Sequence, residues 1–243
     1  MKKTVACIAL VVLALTGTSC DIGSVTLGEI KTGPTVTEEI NVPVPDGGTT
    51  GDVEISMGGG ELSITVKDLD GLVEGTVAYN VEEIKPIVQT SGNRVLIEQG
   101  DLEGKRIPLG NWSDVENRWD LTLGKAPMQL RVNAGAAQAD LTSLADLSAS
   151  DIALRGGAGD FRLDFGGDLR QDMRVAIDAG AAQVTIVVPE GTAAELTFEG
   201  ALTDIDAGGA WKKSGDRYVL EGEGPRITFT VRMGVGNLDL RNR

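Results

Sequence analysis

Apolar and polar residues alternate one for one along most of the chain from about Glu39 onward. Val53-Glu-Ile55-Ser-Met57, Leu62-Ser-Ile64-Thr-Val66 and Met128-Gln-Leu130-Arg-Val132 show the pattern. Phe161-Arg-Leu163-Asp-Phe165, Met173-Arg-Val175-Ala-Ile177 and Ile227-Thr-Phe229-Thr-Val231-Arg-Met233 continue it. Successive side chains of a strand point to opposite faces, so this spacing predicts strands with one buried face. No window of helical length carries an amphipathic helical period. Leu141, Leu144 and Leu147 come nearest, over too short a span to favour a helix. The pattern predicts an all-β protein.

The alternation is organised into a repeat. The segment from Val132 through Gly135 to Leu141 aligns with Leu154–Gly157–Leu163, Ile177–Gly180–Ile186 and Val231–Gly234–Leu240. Ile55–Gly58–Ile64 supplies a first member, and Ile205-Asp-Ala-Gly208 reads as the start of a further copy. From Gly135 the glycine spacings are 22, 23, 28 and 26. Each unit is strand, small-residue corner, strand. A repeat of this kind predicts a β-solenoid of about 22–28-residue rungs stacked around one apolar interior. Gly58, Gly135, Gly157, Gly180 and Gly234 are the expected structural corners, where backbones must approach closely. A leucine-rich-repeat horseshoe lacks its Asn-centred turn here; a β-sandwich also suits alternating strands with glycine turns. The expected organisation is a β-rich N-terminal module over residues 37–118, running into the repeat region over 119–243.

The first residues carry an address. Lys2 and Lys3 precede an apolar run from Val5 to Leu15, too short to span a bilayer. Small residues then lead to Cys20. This reads as a signal peptide, 1–19, followed by a cysteine that is diacylated after cleavage; the small pair Gly17 and Ser19 would also allow ordinary signal cleavage. Gly17 departs from the leucine usual in such a motif. Residues 20–36 would be the lipidated cysteine and a flexible linker, and Cys7 would leave with the signal. The expected location is the cell membrane, lipid-anchored, facing the extracellular space or periplasm.

Composition narrows the chemistry. The 243 residues include 22 Lys and Arg against 36 Asp and Glu, with no His. With Lys2 and Lys3 removed, 20 basic residues face 36 acidic ones, a net charge of −16. Absence of His excludes His-based triads, bases and metal ligands. The acidic balance argues against nucleic acid. Gly156-Gly-Ala-Gly-Asp160-Phe161 nearly matches a calcium β-roll repeat but occurs once. Gly58-Gly-Gly-Glu61 lacks the lysine and helix of a phosphate loop. Asp164 with Asp168, and Asp204 with Asp206, are carboxylate pairs of the type a glycosidase needs. Trp112, Trp119 and Trp211 are candidate sugar platforms or capping residues that seal an open rung. No cofactor, metal or catalytic residue is expected.

Several of these segments resemble one family. Met57-Gly-Gly-Gly-Glu61-Leu-Ser-Ile64 and Tyr79-Asn80-Val-Glu-Glu-Ile-Lys85-Pro86 are similar to the toast-rack N-terminal domain, DUF2154. Asn117-Arg-Trp119-Asp-Leu121, Pro127-Met-Gln-Leu130, Gly135-Ala-Ala and Val231-Arg-Met-Gly234-Val-Gly-Asn237-Leu-Asp-Leu240 extend the resemblance over roughly residues 50–240. It implies a bacterial envelope protein of adhesin-like β fold, with no catalytic residues to carry over. Relatives in the cell-wall-antibiotic response carry transmembrane helices and modulate a sensor kinase; no such helix is expected here beyond the signal segment, so the resemblance does not carry that role over. The expected function is a non-catalytic, lipid-anchored surface scaffold or binding module, with an envelope glycan or protein as partner. The alternatives are an accessory regulator of envelope stress acting through a membrane partner, and a carboxylate-based glycan-active enzyme.

Overall fold

The computed structural model describes residues 31–102 and 114–243. Among them run thirteen strands: β1 (Val36–Pro43), β2 (Gly51–Val66), β3 (Gly71–Tyr79), β4 (Pro86–Ser91), β5 (Arg94–Gln99), β6 (Asn117–Leu123), β7 (Met128–Thr142), β8 (Asp151–Asp164), β9 (Met173–Val188), β10 (Thr192–Ala207), β11 (Lys212–Ser214), β12 (Arg217–Leu220) and β13 (Glu223–Asn242). The only other regular structure among these residues is short 3-10 turns, one of them at Leu144–Asp146 beside the leucine triplet noted in the sequence. The fold is all-β, built on an open sheet of parallel and antiparallel pairs. Its order is β1-β3-β6-β2-β7-β8-β9-β13-β10-β12-β11, with β5 beside β2 and β4 beside β5.

The long strands β2, β7, β8, β9, β13 and β10 are parallel neighbours in that order. Each bends in its middle, and the burial pattern shows where. In β7 the buried positions are Met128, Leu130, Val132 and Ala134, then Ala137, Ala139 and Leu141. Two consecutive residues, Gly135 and Ala136, face outward, so the strand folds toward its apolar side and both arms enclose one interior. β9 repeats this with Ala179 and Ala182 on either side of its bend. Phe161 on the second arm of β8 lies so close to Gly156 on the first that a Cβ there would meet its ring at 2.5 Å. A single hydrophobic cluster runs from Ile40 to Leu240. Residues 118 and 119, where the sequence suggests a module boundary, are consecutive positions of β6 within this shared sheet.

Register gives the spacing. Leu130 lies opposite Ile152, and Ile152 opposite Val175, offsets of 22 and 23 residues. β9 does not lie beside β10: β13 occupies the place between them, with Met173 opposite Ile227 and Ile227 opposite Ala194. The link from β9 to β10 is only residues 189–191. A trans chain advances at most ~3.6 Å per residue and strands lie ~4.8 Å apart. The short link therefore reaches two places along only because each bent strand ends near its own start. Gly208, which the repeat in the sequence marks as a corner, is not one. The bend of β10 is at Gly200 and Ala201, beside Met233 and Gly234. Gly208 follows the strand's end, its N–H donating to the Leu240 carbonyl at 2.9 Å. Position in β10 is set by pairing with β13, which local sequence similarity does not report.

The two ends of the ladder are finished differently. At β2 the first arm is covered by β5 and the second by β6. At β10, among the described residues, only Ala194–Thr197 gains a further partner, the hairpin strand β12.

Candidate functional site

Gly58, Gly135, Gly157, Gly180 and Gly234 stand in one column along the outside of the bends. A Cβ at Gly135 would come within 2.2 Å of the Gly58 carbonyl oxygen. At Gly157 it would meet Gly135 at 2.5 Å, at Gly180 it would meet Gly157 at 2.4 Å, and at Gly234 it would meet Gly180 at 2.9 Å. Each carbonyl thus occupies the space where the next residue's side chain would begin. Two shallow depressions of about 650 and 610 Å³ lie along this column and meet at Arg155 and Gly156.

One row of outward side chains flanks the column on the first arm: Ser56, Asn133, Arg155, Asp178, Arg232 and Glu199, in register on successive strands. Asn133 donates to Ser56 and to Glu54, both at 3.0 Å. Arg232 bridges Asp178 at 3.4 Å and Glu199 at 3.1 Å. Arg155 has no such bond among the described residues and is the row's uncommitted donor. A second row carries Arg174 on Asp151 at 2.7 Å and Arg217 on Glu195 at 2.5 Å. Arg131 bonds Asp52 and lies 3.7 Å from Glu54. Apart from Arg155, the guanidiniums of these two rows therefore neutralise carboxylates one strand away, pairs that contribute little to stability at this exposure.

Three carboxyls are held below their ordinary range. Arg174 and then Ser150 do this to Asp151. Lys85, at 2.8 Å, is the largest influence on Glu38, with the Tyr79 hydroxyl donating at 3.0 Å; burial pushes that phenol up. The third is Asp146, lowered chiefly by the Asp168 backbone N–H at 3.0 Å, with Lys125 at 3.3 Å. Asp146 thereby ties the β7–β8 connection to the β8–β9 connection. A carboxyl lowered in the fold stabilises above its unfolded pKa, and that contribution is lost as pH falls through the folded value. Asp146→Ala should cost about 1–2 kcal/mol at pH 7. The gap from wild type should close as pH drops below about 4, read by thermal melts across pH. A gap independent of pH would refute the assignment.

The remaining sequence candidates separate. Asp164 is buried and held by Arg243, by Arg162 at 3.3 Å and by the Gly166 N–H at 2.9 Å, whereas Asp168 is exposed on Arg170. Asp206 is engaged by Arg241 at 3.0 Å, and Asp204 projects to solvent. Trp119 is fully buried, so its ring offers no platform; its Nε1 donates to Asn117 at 2.8 Å. Trp211 is also buried, donating to the Arg241 carbonyl. Trp112 and Cys20 lie outside the described residues. Sequence reasoning missed a second column, Gly60, Ala137, Gly159, Ala182 and Gly236. Its signal was the third residue of each corner, alternately Gly and Ala. Among the described residues no group of three potential ligands could hold a metal ion, and no helix is long and apolar enough to cross a membrane.

The family model described as the N-terminal domain of toast_rack, DUF2154, matches residues 31–187. The fold is similar to that of a candidate cell adhesion protein from Clostridium sporogenes ATCC 15579, with a TM-score of 0.78 and 20% identity over 86% of this chain and 100% of that one. A candidate adhesin from Bacteroides fragilis NCTC 9343 aligns over 85% of this chain and 97% of its own at 13% identity, with a TM-score of 0.34, too low to bear on the fold. No curated protein matches the sequence.

Proposed function

Because this chain belongs to the toast-rack family, we propose that it is a non-catalytic, lipid-anchored protein of the cell envelope, an adhesin-like scaffold or binding module. The observation that carries this reading is the continuous outer surface of the ladder. Its charges bind one another across strands, and its depressions are open troughs along the glycine column. Such a surface suits an extended partner, a glycan chain or a protein strand, lying across several rungs. We read the ladder itself as a β-solenoid; the 22- and 23-residue offsets and the returning strands support this. The candidate adhesion role of the Clostridium protein points the same way.

Lipidation at Cys20 completes the reading. Each buried acyl CH₂ contributes about 0.8 kcal/mol, and two chains suffice for stable attachment. An anionic surface repels a net charge of −16. That repulsion fades within a Debye length of about 8 Å. The acyl chains therefore dominate. Mass spectrometry of the protein isolated from membranes should show a diacylglycerol-modified Cys20 at the N-terminus. Cys20→Ser should release the chain from the membrane fraction. A soluble, unmodified wild type would overturn the anchoring.

A further inference from the structure

We infer that the second arm of β10, residues 201–207, is an open sheet edge that takes up an extended, basic polypeptide strand from another protein. This rests on the sheet topology and holds whether or not the chain carries a lipid. Every other arm end of the ladder is covered: β5 and β6 close β2, and β12 closes the first arm of β10. Beyond Thr197 no described residue pairs with the outer side of β10, while β13 pairs with its inner side as far as Ala207. The Gly208 N–H donates to Leu240 on β13. Along a parallel ladder the hydrogen-bonding direction alternates residue by residue, so the N–H and C=O groups of Thr203, Ile205 and Ala207 face the open side. An unpaired row of this kind is a template for an added strand. The short, lysine-bearing β11 protects the first-arm side of this end; nothing comparable among the described residues protects the second.

The side chains indicate what is added. Leu202 is 74% exposed and lies beside Val235, itself 46% exposed. Together they end an outward row that begins with Gly59, Ala136, Ala158 and Ala181. An incoming strand would continue this row with one apolar residue. Thr203, Ile205 and Ala207, on the other face, are only partly covered, leaving the last rung of the core unfinished. The charge at this edge is acidic. Glu199, Asp204 and Asp206 stand on β10, and the two guanidiniums near them, Arg232 and Arg241, are shared with Asp178 and Asp239. Asp204 has no ion pair or hydrogen bond among the described residues. A second copy of this chain would bring acids against acids. A strand alternating apolar with Lys or Arg side chains would bring complementary charge.

The test uses the full-length chain and two labelled peptides, one alternating Val and Lys, the other Val and Glu, followed by fluorescence anisotropy. The Lys peptide should bind, more weakly as salt rises, and the Glu peptide should not. Thr203→Pro removes an outward N–H while sparing the bonds to β13, as proline does on edge strands. It should weaken the Lys peptide by at least about tenfold, a loss of roughly 1.4 kcal/mol. Asp204→Lys, an exposed change that leaves the fold intact, should weaken it as well. The inference is overturned if the Lys peptide fails to bind, if both peptides bind alike, or if either folded variant keeps wild-type affinity. A dimer in sedimentation velocity that Thr203→Pro dissolves would also overturn it, by making a second copy the occupant.

Discussion

Gly159→Ala should lower the thermal unfolding midpoint by about 6–12 °C, the shift expected of roughly 3 kcal/mol in a protein of this size. Gly159 has φ of +133°, a conformation that L side chains rarely adopt, and a Cβ there would sit 1.9 Å from the Ala137 carbonyl oxygen. Strained backbone of this kind costs on the order of 1–3 kcal/mol, and overpacking adds a similar amount. The clash is with main chain on the adjoining rung, so no rotamer change relieves it. Gly157→Val, at 2.5 Å from the Gly135 carbonyl, should also cost more than about 1 kcal/mol. The controls are Ala137→Gly, in the same column, at about 1 kcal/mol, and outward Arg155→Ala, within about 0.5 kcal/mol. Differential scanning calorimetry distinguishes them. If Gly159→Ala melts with Arg155→Ala, the rungs are not in contact at the bend.

These columns show what a linear sequence can and cannot carry. The strands around Met128, Met173 and Ile227 were legible because alternation is a local property set by one buried face. Gly135, Gly157 and Gly180 were legible as equivalents because adjacent rungs are also consecutive in the chain. The equivalence failed at Gly208, because β13 is inserted between β9 and β10 and the order in space departs from the order in sequence. A register between Met173 and Ile227 depends on which strand edge is free when β13 arrives, a property of the assembled sheet. The open arm of β10 was illegible for the same reason. Leu202-Thr-Asp-Ile-Asp206 carries its apolar residues three apart, but that local irregularity does not say which strand lies alongside; among the described residues it is the short reach of β12 that leaves it bare. Carboxylate pairs misled in the opposite direction. Asp164 and Asp168 are close in sequence, yet Asp164 is buried on Arg243 from the chain's other end.

Trp119→Ala should be among the most damaging single changes at the β2 end of the ladder, costing about 3–5 kcal/mol for the lost side chain. Burial alone does not set its effect. The indole donates to Asn117 Oδ1, whose Nδ2 in turn donates to the Gly59 carbonyl at 2.5 Å and to Gln99 Oε1 at 2.8 Å. Gln99 Oε1 also accepts the Gly58 N–H at 3.0 Å. The side chains of β5 and β6 therefore hold the first bend at Gly58 and Gly59, while at Gly60 the Asn117 main-chain carbonyl stands where a Cβ would meet it at 2.1 Å, as a neighbouring strand's carbonyl does at the later bends. Trp119→Phe retains most of the apolar contact but leaves a buried amide oxygen without its donor, for about 1–3 kcal/mol. Gln99→Ala removes the other end of the chain of bonds. Because both changes act through Asn117, their energies should not add, and a double-mutant cycle should give a coupling of about 0.5 kcal/mol or more. Additive losses in denaturant melts would mean that Trp119 serves the core alone, and that the first bend is held by backbone pairing without this polar bridge.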